Sequence, residues 1–276
     1  MFTLSNPSLQ MAHVLLPTDF SDASMHAAEY AVSLFGRSGN HYTVFHAYTE
    51  VDVYDPLLAM ATAELIKEAN ERLLAFTDRF TRKTTAEGVA HELVCGPLVP
   101  LLNEKVKSEG VDLVVMGREG DGGSFFGSNT MDVIKRSLVP VLVVPAGRPF
   151  TVPRTILLAD DYEDVGVRDL TMLRTIAMRT KAHVLVAHYD QEVQEGTPHW
   201  SNGIYEQALK DVPHTFLTAH GQGPVDGLER LAQHKHADMI AVLHRHIGAF
   251  ARLFHPSTTK ELALNAHFPL LVLEQA

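Results

Sequence analysis

Cysteine is almost missing: Cys95 is the only one in 276 residues. That excludes an intramolecular disulfide and a thiolate zinc cage within one chain. Positive charge is scarce too. Lys and Arg total 23 against 33 Asp and Glu, a formal net charge of −10. A general nucleic-acid binder needs a basic face to displace counterions, and so does adhesion to anionic lipid; neither nucleic acid nor membrane is an expected partner. Met1 to Gln10 holds no basic residue and no apolar run, so no signal peptide is expected there. No stretch approaches the roughly 18 apolar residues that span a bilayer. The expectation is a soluble, cytoplasmic protein, and the lone cysteine suits a reducing compartment. What is present is core material. Hydrophobic residues make up 46% and charged residues 20%, enough for one large or two ordinary domains.

The chain repeats itself. His13-Val-Leu-Leu-Pro-Thr-Asp19-Phe-Ser-Asp22 resembles Thr155-Ile-Leu-Leu-Ala-Asp-Asp161-Tyr-Glu-Asp164, and His41-Tyr-Thr-Val-Phe-His46 resembles His183-Val-Leu-Val-Ala-His188. Val111–Met116 then pairs with Ala237–Val242, and Pro140–Val144 with Pro269–Leu273. Four matches in one order make chance a poor explanation. Gly147, Pro149 and Pro153 mark the boundary, giving expected domains over residues 1–147 and 152–276.

Each copy alternates strands and helices. Residues 13–18 form a continuous apolar run, as a buried parallel strand does. Ser21 or Asp22 can cap the next helix, whose apolar face carries Ala27, Ala28, Ala31 and Leu34. Further strands are expected at 42–47, 91–94, 112–116 and 141–144, with helices near 59–84, after Gly96-Pro97, and near 128–137. Such alternation implies right-handed crossovers and a parallel sheet with helices on both faces.

Ligands in open parallel sheets bind beyond the carboxyl ends of the strands, at the topological switch. Pro17-Thr18-Asp19 ends the first strand there. Gly117-Arg118-Glu119-Gly120 follows the fourth, and Gly127-Ser128 opens the next helix. Glycines admit a phosphate close to the backbone, and a helix N-terminus offers unpaired N–H groups. Asp19 can accept hydrogen bonds from a ribose or a base, and the Ala47 backbone can pair with an adenine edge. Taken singly these signals are plain: glycines mark ordinary turns, Ser128 caps a helix, and Asp19 caps the helix near Ser21. Taken together, in this order, they are specific.

Pro17-Thr-Asp-Phe-Ser21, Val115-Met116-Gly117-x-x-Gly120, Gly127-Ser128-Asn129-Thr130 and Pro140–Val144 resemble the universal stress protein family, over nearly the whole chain as two tandem domains. The resemblance implies two open five-stranded parallel sheets of order 3-2-1-4-5. It implies ATP or AMP as the ligand, with or without Mg2+, and dimerisation through the fifth strand. Asp19 and the Ala47 backbone would hold adenosine, beside Pro17 and Thr18. Gly117, Gly120, Gly127 and Ser128 would hold the phosphates, with Met116 and Asn129 nearby and Arg118 as a further source of charge.

The family spacing is G-x2-G-x9-G-S/T, whereas only six residues separate Gly120 from Gly127. Gly122 and Gly123 can relieve the shorter tether. In the second copy the same positions fall on Leu243, His246, Pro256 and Ser257. No glycine survives there, so the second copy is expected to lack the phosphate cradle although it keeps Asp161.

Other chemistry is thin. There is no G-x-S-x-G elbow, no G-x-x-x-x-G-K-S/T loop and no complete G-x-G-x-x-G, and no residue stands out as catalytic. His234, His236, His244, His246 and His255 cluster in the second copy, but without an H-E-x-x-H frame they are expected to be ordinary surface histidines rather than a metal site. Three readings follow. The first is a stress-response regulatory module that binds an adenine nucleotide, with little or no turnover, and is read by a protein partner or a second copy. The second is a nucleotide-free scaffold in which Val141–Val144 and Leu270–Leu273 pack as a covalent pseudo-dimer. The third is a slow nucleotide hydrolase.

Overall fold

The computed structural model describes residues 11–49, 56–118, 128–147, 151–160, 165–189, 202–243 and 268–274. The chain divides into two compact units, one built on residues 12–147 and the other on the sequence after residue 147. Each is an open five-stranded parallel sheet.

In the first unit the strands are β1 (His13–Pro17), β2 (His41–Tyr48), β3 (Val89–Cys95), β4 (Leu113–Arg118) and β5 (Val141–Pro145), in the order β3-β2-β1-β4-β5. The helices are α1 (Asp22–Phe35), α2 (Pro56–Thr84), α3 (Leu98–Glu109) and α4 (Ser128–Arg136). Strands buried on both faces read as unbroken apolar runs, and β1, β4 and β5 do so: Val14, Leu15, Leu113, Val114 and Leu142 are all sealed from solvent. Edge strand β3 shows partial exposure instead. Ser21 caps α1, its hydroxyl accepting from the Ser24 N–H at 3.2 Å, and Gly36 ends it at φ 98°. Lys105 of α3 is buried between Glu92 of β3 and Glu109, at 2.5 and 2.6 Å.

Two strand boundaries move by two residues, and α2 begins at Pro56 rather than near residue 59. β3 begins at Val89 rather than His91, because the Val89–Cys95 backbone pairs along the full length of Tyr42–Tyr48. β4 runs through Gly117 and Arg118 instead of stopping at Met116. Its partner β5 keeps offering groups: Gly117 registers with Val144, Arg118 with Pro145, and the Ala146 N–H donates to the Arg118 carbonyl at 2.8 Å.

The second unit repeats the plan with β6 (Thr155–Asp160), β7 (His183–Tyr189), β8 (His214–Ala219), β9 (Met239–Leu243) and β10 (Leu270–Leu273), ordered β8-β7-β6-β9-β10. The register of the first pair is duplicated: His13 faces His41, and Thr155 faces His183. So are details of bonding. Asp112 accepts from the His13 N–H, and Asp238 accepts from those of Arg154 and Thr155. His46 Nδ1 meets the Thr18 carbonyl at 2.7 Å, and His188 Nδ1 meets that of Asp160 at 3.1 Å.

The second unit departs from the plan at its first helix. At the 142-residue offset, α1 would begin again at position 164, yet α5 (Thr171–Thr180) starts at Thr171. Residues 165–170 form a turn closed by buried Asp169, which accepts from the Gly166 N–H at 2.8 Å. Helices α6 (Asn202–Ala208) and α7 (Pro224–His234) complete the unit.

Candidate functional site

A cleft of about 240 Å³ opens at the carboxyl ends of β1, β2 and β4 in the first unit. Seven of the residues expected from sequence line it: Pro17 at the end of β1 with Thr18 and Asp19 just beyond it, Ala47 from β2, Met116 and Gly117 from β4, and Asn129 from α4. Ser128 supplies the first residue of α4. Arg118 does not line the cleft. It is the last residue of β4 and 4% exposed, because the strand carries it into the interior beyond Gly117. Burial pulls its guanidinium down to about 10. Gly120 and Gly127 lie outside the described residues, as do Asp161 and the loop positions His246, Pro256 and Ser257. Leu243 ends β9 and is buried.

The floor of the cleft follows from strand geometry. In a parallel ladder, alternate residues aim their backbone N–H and C=O at the same neighbour. Phe45 aims its carbonyl at β1, where it accepts from the Thr18 N–H at 2.9 Å. Ala47, two residues on, aims its N–H and C=O the same way, but β1 has ended and turned off at Asp19. A donor and an acceptor on Ala47 therefore face the cleft edge.

Asp19 is fixed beside them. Its Oδ1 accepts from the Ser21 N–H at 3.0 Å, a local Asx turn. Partial desolvation pushes its carboxyl up. Hydrogen bonds from Ser21 and Ser24 and from the backbone outweigh that and hold it below the ordinary carboxylate value, so it is ionised at neutral pH. Thr18 braces the turn: its hydroxyl accepts from the Phe20 N–H at 2.9 Å and shares a hydrogen bond with the Ser24 hydroxyl at 2.8 Å. Opposite, α4 presents the N–H groups of its first turn, which no intrahelical carbonyl can satisfy.

Gly117 has a cause beyond ligand access. A Cβ at this position would lie 2.3 Å from the Ala23 carbonyl oxygen and 2.7 Å from the Ser24 nitrogen. Only glycine lets β4 pass this close beneath the first turn of α1.

Sequence reasoning missed Ser24, Phe45, His46, Leu98 and Thr130, which also line the cleft. Phe45 was accessible through the two-residue strand period from Ala47. Ser24 and Leu98 come from the first turns of α1 and α3, whose starts the sequence marked but whose approach to the strand ends no local pattern gives. Among the described residues no group of three His, Cys, Asp or Glu side chains can hold a metal. His244, His246 and His255 fall outside those residues. No helix among the described residues is long and apolar enough to cross a membrane.

Fold and cleft together define a tandem protein of two doubly wound α/β units, with an open cleft at the strand ends of the first. The chain belongs to the universal stress protein family, whose pattern matches residues 11–145 and 155–274. A universal stress protein from Archaeoglobus fulgidus DSM 4304 shares the fold at 16% identity and a TM-score of 0.72, covering 98% of this chain and 100% of that one. A protein from Pseudomonas aeruginosa UCBPP-PA14 does so at 18% identity and a TM-score of 0.53, covering 98% and 95%. Another solved relative is a universal stress protein in complex with cAMP, at 24% identity and a TM-score of 0.38, covering 49% of this chain and 97% of that one. No curated protein gives a significant match.

Proposed function

We propose that the first unit binds an adenine nucleotide, ATP or AMP, and that the protein acts as a regulatory module of the stress response rather than as an enzyme. The carrying observation is the convergence at one cleft of the Ala47 backbone, the ionised Asp19 and the N-terminus of α4. Ala47 offers the donor and acceptor pair that an adenine edge needs. Asp19, its Oδ1 fixed by the Ser21 N–H, offers a carboxylate acceptor to a ribose hydroxyl. The α4 N-terminus favours phosphate. Drug-sized sites begin at roughly 300 Å³, so a 240 Å³ cleft suits the nucleoside portion, with phosphates extending towards the first turn of α4, where Asn129 and Thr130 line it.

Residue chemistry supports binding over turnover. Among the described residues lining the cleft, Asp19 is the one acidic side chain, and His46 is committed through Nδ1 to the Thr18 carbonyl. Phosphoryl transfer needs charge spread over several positioned groups, including a metal-holding set. If Mg2+ accompanies the nucleotide, the phosphates themselves are its main ligands.

Mass spectrometry of small molecules released from freshly purified protein tests this. We expect close to one equivalent of adenylate per chain, absent from a Gly127→Val variant. Protein that releases no nucleotide and gains none on incubation would refute the reading.

A further inference from the structure

Phe20, directly after Asp19, holds φ at 69°, a left-handed conformation that bulky residues seldom adopt. Such outliers persist only where the surroundings over-determine them, and they gather at ligand sites. The surroundings here are a layered stack. The Phe20 ring lies 4.3 Å from the His46 ring at a tilt of 32°, and the edge of Phe76 on α2 approaches at 6.3 Å. The Arg72 guanidinium, also from α2, sits 4.7 Å from the Phe20 ring centroid. A carbonyl can only accept, so the His46 Nδ1 that meets the Thr18 oxygen carries the proton. Thr18 and Phe20, the two neighbours of Asp19, are thus both held by His46, and Phe20 is clamped by α2 as well.

Arg72 marks a change along α2. None of its side chains from residue 62 to residue 72 is buried, whereas Leu73, Phe76, Thr77, Phe80 and Thr84 are. The clamp therefore joins the packed part of α2 to its more exposed arm. Neither Phe20, Arg72 nor Phe76 lines the cleft.

We propose that Phe20 is a positioning residue for the nucleotide, and that its stack with Arg72, Phe76 and His46 sets the pose of Asp19, so that α2 tunes affinity from outside the cleft. This rests on the nucleotide reading given above. A partner that displaced the arm of α2 would loosen Phe20 and weaken binding without touching the ligand.

A double-mutant cycle read by calorimetric titration with AMP tests it, using Phe20→Ala, Arg72→Gln and Asp19→Asn, singly and in pairs. Phe20→Ala should raise Kd about tenfold. Arg72→Gln should raise it roughly threefold. Both effects should shrink towards nothing in the Asp19→Asn background, because they act through that carboxylate. Effects that persist undiminished there, or single variants that bind like wild type, would overturn the positioning role while leaving the nucleotide reading intact. Wild-type protein that binds no AMP would sink both. If Phe20→Ala fails to fold, Arg72→Gln, which alters an exposed side chain, decides the question alone.

Discussion

Asp19 and Gly117 show how differently single residues reveal themselves. Asp19 was legible from its place after an apolar run, because a strand end at a topological switch is where polar groups meet ligands. Gly117 was legible as a glycine but not for its full reason, since the carbonyl of Ala23 that forbids a Cβ belongs to another element. Gly117→Ala should therefore destabilise the first unit by roughly 3 kcal/mol, through overpacking against backbone, and lower its thermal midpoint. Asp19 makes a pH prediction. Its folded carboxyl titrates below the ordinary 3.8, so its contribution is complete above 3.8 and is lost as pH falls through the lowered value. Adenylate affinity should be flat from about pH 5 to 8 as far as Asp19 is concerned, and should fall in more acid solution; titrations across that range check it. Phe20 was illegible, because nothing in an aromatic residue announces a left-handed backbone.

At the scale of elements, the sequence marked strands by their apolar runs and helices by their caps, but it could not say where β4 stops. Pairing with β5 carries the strand to Arg118 and turns a presumed phosphate ligand into a buried cation. Burial lowers the folded guanidinium to about 10, below its ordinary value in the unfolded chain, so the buried charge opposes folding below pH 10 and that penalty is relieved as pH rises past it. Chemical denaturation should find wild type gaining stability relative to Arg118→Met between pH 9 and 11. Helix α1 carries both its own cap and a wall of the cleft through Ser24. Ser21→Ala should cost about 1 kcal/mol in stability, measured by denaturant unfolding, and weaken adenylate binding modestly by freeing Ser24 and Asp19.

For the whole molecule, the theme is one plan used twice with unequal outcomes. The fold and its duplication were readable because parallel strands and their registers follow from apolar pattern and repeat spacing. The divergence was only half readable. Lost glycines are visible in sequence, but the substitute bonding is not. Where the first unit places Thr18 against Ser24, the second places buried Asp160, whose Oδ1 accepts from the Tyr205 hydroxyl at 2.5 Å, across 45 residues. The strand end of β6 is thus tied to α6 instead of to the first helix. Tyr205→Phe would strip that donor from a buried carboxylate, at a cost of about 1–3 kcal/mol in stability and none in adenylate affinity; parallel unfolding and binding curves check it. The central claim is a single adenylate site, in the first unit, held by Asp19. Calorimetric titration of the intact chain with AMP, beside Asp19→Ala and Asp161→Ala variants, tests it most directly. The account predicts one site per chain, lost with Asp19→Ala and untouched by Asp161→Ala. Two sites, or a single site indifferent to Asp19, would contradict it.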